Sequence, residues 1–242
     1  MTFTGANVLI TGAAGNLGRA VAEVFADQGA RLLLADLKRD ALAAVFGAET
    51  PQRLFAPLDL LDRDAVKACI DALLARVPRT DAARMPRIDV LCHLAGGFRM
   101  GEAVHETSAA TWDTLFDLNA RTLLNVAGAV VPGMIAAGGG RIVTVGAYSA
   151  RQGLAGMGAY TAAKASVIRL TEAMSAELRE KNINVNCVLP TIIDTPQNRA
   201  AMPGADPARW VAPADLARVI AFLASDAARA VHGAALPVTG LS

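Results

Sequence analysis

Tyr160 and Lys164 stand four residues apart in Tyr-Thr-Ala-Ala-Lys, a spacing that puts both side chains on one face of a helix. A phenol is a poor base at neutral pH, but a neighbouring ammonium favours its ionised form, so the pair is suited to moving a proton during a redox step. Alone, such a pair is an ordinary solvated helix face. A second element gives it a setting: Thr11-Gly12-Ala13-Ala14-Gly15-Asn16-Leu17-Gly18 follows an apolar run and opens a helical pattern. Glycines there allow a tight turn and a close approach to a pyrophosphate, which helix N-terminal N–H groups would face. Gly12, Gly15, Asn16, Leu17 and Gly18 are therefore candidate dinucleotide contacts. Asp36, eighteen residues beyond Gly18, can accept from ribose hydroxyls and repel a 2′-phosphate. This favours NAD(H) over NADP(H), although Lys38 and Arg39 can soften the discrimination and Asp36 can equally be a helix cap or a solvated strand end.

These residues need a scaffold that brings distant segments together. β-branched apolar runs alternate with helical periodicity along the whole chain, the pattern of a parallel sheet with crossover helices. Strands are expected at 6–11, 31–36, 53–58, 88–95, 141–147, 183–189 and 234–238. Helices are expected at 18–28, 62–76, within 108–137, and at 159–181 and 213–225. The expected fold is α/β, a single doubly wound Rossmann-type domain over residues 1–242, with a seven-stranded parallel sheet and helices on both faces. The proline-bearing stretch 191–212 breaks the alternation and reads as a substrate lid.

Composition agrees with one large core: 242 residues, 53% hydrophobic and 19% charged. With 23 basic and 22 acidic residues and no charge block, neither a nucleic-acid nor a membrane surface is expected, and a small-molecule partner is. Cys69, Cys92 and Cys187 are scattered in apolar contexts, consistent with a reducing cytoplasm, and no signal peptide is evident. No His, Cys and carboxylate set has metal-ligand spacing, so no metal is expected.

The glycine-rich turn, Asp59 after the third strand, Ala95-Gly96-Gly97 after the fourth, Asn119, and the Tyr160–Lys164 pair together resemble the short-chain dehydrogenase/reductase family along the whole chain. The resemblance makes Tyr160 the general acid/base. It gives Lys164 the nicotinamide ribose and the lowering of the tyrosine pKa, and Asn119 a proton-relay water. It also implies adenine contacts from Asp59 and Leu60, cofactor contacts from Ala95, Gly96 and Gly97, and a nicotinamide flanked by Pro190 and the 191–195 turn with Ile193. Thr195 would serve the carboxamide or the pyrophosphate. The helices around 122–137 and from 159 would make subunit contacts, giving a homodimer or homotetramer.

Three departures bear on substrate. Asn16 occupies the usual middle-glycine position, His93-Leu94-Ala95-Gly96 replaces Asn-Asn-Ala-Gly, and Ala147 stands thirteen residues before Tyr160, where the family carries its catalytic serine. Loss of a preorganised donor of that kind costs roughly 10²–10³ in rate, so Ser149 or Tyr148 is weighed as a substitute. The same departures, with Asp194-Thr195-Pro196-Gln197-Asn198-Arg199 and Trp210, resemble the dihydropteridine reductase branch. Reduction of a quinonoid ring builds no alkoxide and needs no such donor. The expectation is NADH-dependent reduction of a quinonoid dihydropteridine or related conjugated ring. The alternatives are a generic ketone/alcohol or 3-oxoacyl reductase and, in another class, a non-catalytic NADH-binding sensor. Ala147, Ser149 and Trp210 are candidate substrate contacts, with Met202; lid packing explains Trp210 and Met202 equally well. His93 is expected to pack at a strand end, and His105 and His232 have no evident partner.

Overall fold

In a computed structural model that describes residues 2–78 and 86–242, seven parallel strands form one sheet in the order β3-β2-β1-β4-β5-β6-β7. The strands are β1 (Asn7–Thr11), β2 (Arg31–Asp36), β3 (Arg53–Pro57), β4 (Val90–His93), β5 (Gly140–Val145), β6 (Ile183–Pro190) and β7 (Ala235–Val238). The helices are α1 (Asn16–Asp27), α2 (Arg39–Phe46), α3 (Arg63–Ala75), α4 (Ala109–Phe116), α5 (Thr122–Ala136), α6 (Gly158–Leu178), α7 (Pro196–Ala201) and α8 (Pro213–Leu223).

The two faces of the sheet are read directly from strand alternation. Val8 and Ile10 of β1, with Leu32 and Leu34 of β2, pack under α1, α2 and α8, burying Val21, Phe25, Leu42 and Ile220. Leu9 and Leu33 point the other way, towards Val66 and Ile70 of α3 and Val126 and Val130 of α5. Strand order reverses between β1 and β4, and the crevice above that switch point is where doubly wound sheets bind ligands.

The expected strands are all present, with ends adjusted by side chains. β4 stops at His93 rather than residue 95 because Thr11 Oγ1 accepts from the N–H groups of Leu94 and Ala95, at 3.1 and 3.2 Å, peeling them off the ladder. The long helix expected within 108–137 is present as one unbroken helical run, in which a π-helical turn, Asp117–Arg121, joins α4 to α5. Two short helices escaped the periodicity: α2, and α7 inside the 191–212 stretch. That stretch is tied to itself, since Asp194 N–H donates to Val211 O (2.9 Å) and Arg199 makes two bonds to the Asp194 carboxylate (2.6 and 2.7 Å).

Candidate active site and cofactor cleft

A cleft of about 610 Å³ opens at the carboxyl ends of β1, β2 and β4. Its floor is the turn from β1 into α1. Gly12 has φ +65°, and a Cβ there would come 3.1 Å from Ala95 Cα. A Cβ on Gly18 would fall 2.3 Å from Gly12 O, so only glycine fits. Gly15 is the N-cap of α1, and Asn16 and Leu17 begin the helix, so the first-turn N–H groups face the cleft. This cradle, which added Cβ atoms would fill, fits a dinucleotide pyrophosphate.

The remaining walls gather residues far apart in sequence. Asp36 closes one side: Oδ2 accepts from Ala14 N–H (2.9 Å) and Oδ1 from Leu37 N–H (2.8 Å). Asp59 and Leu60 form the next wall, where Asn125 on α5 donates to Leu60 O and Leu61 O at 2.9 and 3.1 Å. Nothing in the spacing of the sequence marks Asn125 for this. Ala95, Gly96, Ile193 and Thr195 complete the cleft, and the Thr195 hydroxyl also caps α7 by accepting from Asn198 N–H at 3.1 Å. Asn16 reaches across to this segment, its Nδ2 donating to Gln197 Oε1 at 3.0 Å.

Beside the cleft, α6 carries Tyr160 and Lys164 one turn apart. Lys164 is buried and donates from Nζ to Val145 O at the end of β5, 2.9 Å away. Gly96 lies between it and Asn119: a Cβ on Gly96 would sit 2.7 Å from Asn119 Oδ1 and 3.1 Å from Lys164 Nζ. Asn119, in the π-helical turn, donates to Gly97 O (3.0 Å) and Leu115 O (2.8 Å) and accepts from Gly97 N–H (3.2 Å). Both amide protons are thus held by backbone carbonyls, and the side chain braces the Gly96–Gly97 turn.

Burial sets the electrostatics of the pair. Burial pushes the Tyr160 phenol up to about 12, and no lowering by Lys164 offsets it. Burial also brings Lys164 down to about 8, against a small upward pull from Cys187. The phenol of this structure is therefore protonated at neutral pH. Its ring meets Phe98 edge-on, centroids 4.8 Å apart, and Gly101 N–H donates to Gly156 O (2.8 Å), stitching the loop after β4 to the loop before α6. Phe98 is 59% exposed and was not singled out from sequence.

Other candidates land elsewhere. Ala147 is buried before the turn Tyr148–Arg151, where Ser149 is half-buried and Tyr148 lies under the Arg151 guanidinium. Trp210 is buried and is not among the residues lining this cleft; a Cβ on Gly240 would come 3.1 Å from its carbonyl oxygen. Gly97 and Pro190 are not among the residues lining the cleft, and Pro190 is buried at the end of β6. His93 is fully buried with both ring nitrogens facing threonine hydroxyls. His105 lies 3.8 Å from Glu106, and His232 meets Asn184 at 3.4 Å. Among the described residues no three His, Cys, Asp or Glu converge, and no helix is long and apolar enough to cross a membrane.

With this geometry in hand, a family model described as enoyl-(acyl carrier protein) reductase matches residues 12–240. The chain is 32% identical to a D-threitol dehydrogenase of Mycolicibacterium smegmatis, over 96% of its own length and 90% of the relative's. It is 33% identical to a 3-oxoacyl-[acyl-carrier-protein] reductase of Thermotoga maritima, over 99% and 98%. A carveol dehydrogenase from Mycobacterium avium, whose structure is a complex with NAD, superposes with TM-score 0.86 at 27% identity, covering 98% of this chain and 97% of that one.

Proposed function

The chain belongs to the short-chain dehydrogenase/reductase family of oxidoreductases, and from that premise we propose that it interconverts a small secondary alcohol and its ketone using NAD(H). The observation that carries this reading is the meeting of Lys164 and Asn119 at Gly96, on the edge of a dinucleotide-shaped cleft, with Tyr160 one turn before Lys164 on α6. A nicotinamide dinucleotide held by this cleft would supply or accept the hydride. Tyr160 gives its proton to the substrate oxygen in the reductive direction and takes it back in the oxidative one. Lys164 offers its ammonium to the ribose and to the developing phenolate. Asn119 holds the Gly96–Gly97 turn so that the ring can approach. Asp36 at the ribose edge supports a preference for NAD(H).

A second reading is retained for one observation. Ala147 is buried and presents no hydroxyl where the family places its serine, which suits reduction of a conjugated quinonoid ring such as a dihydropteridine. The activities in the relatives' names, alcohol and oxoacyl chemistry, favour the first reading. Steady-state NADH oxidation on a panel of ketones, a 3-oxoacyl thioester and a quinonoid dihydropterin decides between them. Tyr160→Phe, expected to lose about 10²–10⁴ in kcat with NADH still bound, separates an enzyme from a non-catalytic NADH sensor.

The same reading extends to assembly and setting. Leu124 and Ile135 on α5, with Trp112 on α4, are exposed apolar residues that suit a homodimer or homotetramer, which light scattering tests. The free thiols Cys69, Cys92 and Cys187 suit a reducing cytoplasm.

A further inference from the structure

Three residues past Asp36, Arg39 opens α2 at the sheet edge where the adenosine ribose would lie. A free guanidinium in this region is what recognises a 2′-phosphate, because its planar donors match the phosphate oxygens. Arg39 does not line the cleft, however. It is paired with Glu49, and its guanidinium carbon lies 5.9 Å from the centroid of the Phe55 ring. Glu49 is itself firmly placed: Oε1 accepts from Phe55 N–H at 2.7 Å and from Arg76 at 2.7 Å, while Oε2 takes Arg39. Its side chain is only 17% exposed. Burial works to raise its pKa, but the Phe55 N–H and the Arg76 and Arg39 guanidinium groups outweigh it and leave it at about 2, so it is always charged. Among the described residues Lys38, exposed beside Arg39, makes no ion pair.

We propose that Glu49 is a cofactor-specificity residue. By holding Arg39 against β3, it withholds from a 2′-phosphate the guanidinium that would bind it, and so excludes NADPH alongside the repulsion from Asp36. This rests on the proposed preference for NAD(H). It also assigns a role to a residue outside the glycine-rich turn and the β2 end. The Arg39 side chain is half-exposed, so the effect is a moderate one.

Equilibrium binding of NADH and NADPH to the whole chain tests it, read by calorimetry on wild type, Glu49→Gln, Arg39→Ala and the double variant. The wild-type ratio alone tests the underlying preference: NADPH binding as tightly as NADH removes that preference, whatever the variants do. The Glu49 proposal is read from changes. Gln can keep the Phe55 bond but turns a donor towards Arg39, so NADPH affinity should rise roughly five- to tenfold with NADH within about twofold. The double variant should lose that gain. Arg39→Ala alone should leave both affinities within about twofold, and this half-exposed position stays informative if Glu49→Gln does not fold. A folded Glu49→Gln protein without the gain overturns the proposal. So does a gain that survives in the double variant, or a loss of NADPH affinity in Arg39→Ala.

Discussion

Thr11 and His93 meet across the adjoining strands β1 and β4, Thr11 Oγ1 lying 3.1 Å from His93 Nδ1. On the far side of the ring Nε2 lies 3.3 Å from Thr122 Oγ1, and that hydroxyl donates to Leu118 O at 2.8 Å. Because the Thr122 proton goes to Leu118, Nε2–H must donate to Thr122, and Nδ1 then accepts from Thr11. One directed chain of bonds thus joins the start of the cofactor turn to the π-helical turn that carries Asn119.

This chain needs a neutral imidazole. Burial, followed by the nearby Lys164 charge, lowers His93 to about 3, below its unfolded value near 6.5. The unfolded state therefore binds the extra proton between those values, and stability falls as pH drops from about 6.5 towards 3. By pH 5 the loss approaches about 2 kcal/mol. Denaturant unfolding at pH 7 and pH 5 should show it, and His93→Asn should remove this part of the slope.

The catalytic pH profile should follow Lys164. Tyr160, at about 12, stays protonated through the working range, while Lys164 loses its charge as pH rises through about 8. Carbonyl reduction should then show a kcat/KM that is flat at lower pH and declines above about 8. A decline left in place by Lys164→Arg, whose charge does not titrate there, would assign it to another group.

Gly96→Ala should strike the site without unfolding the protein. Its Cβ would displace Asn119 Oδ1 and Lys164 Nζ, both ends of polar side chains, and a displacement of about 1 Å can cost about 10²-fold in kcat. Gly18→Ala is different in kind, since its Cβ meets backbone atoms of Gly12 and Ala13. It should cost about 1–3 kcal/mol of stability and abolish tight NADH binding. Thermal melts and NADH titrations of the two variants separate these effects.

The bond from Asn16 to Gln197 spans from the cofactor turn to α7 and should slow cofactor release. It is exposed and worth about 1 kcal/mol, so Gln197→Ala should speed NADH dissociation by about fivefold in stopped-flow, with the chemical step unchanged. An unaltered dissociation rate would mean that α7 does not restrain the cofactor.

The fold and the outline of the cleft are legible in the sequence because they depend on local patterns. β-branched runs, helical periodicity and the Gly12–Gly18 turn each carry their meaning within a few residues, and the spacing of Tyr160 and Lys164 is likewise a local fact. Asp36 could be placed at the end of a strand for the same reason, whereas the roles of Asp59 and Thr195 came from the family resemblance. What only the tertiary structure decided are relationships between residues far apart in the chain. Trp210 could be read from sequence as pocket lining or lid packing, and its burial is known only from the packed chain, because apolar character alone does not say what a side chain packs against. The desolvation that raises the Tyr160 phenol could not be read from the Tyr160–Lys164 spacing, because burial is a property of the packed whole. Asn125 under Leu60, Phe98 against Tyr160, and Glu49 on Arg39 carry no signature, since a hydrogen bond, a ring contact or an ion pair exists only once folding has joined both partners.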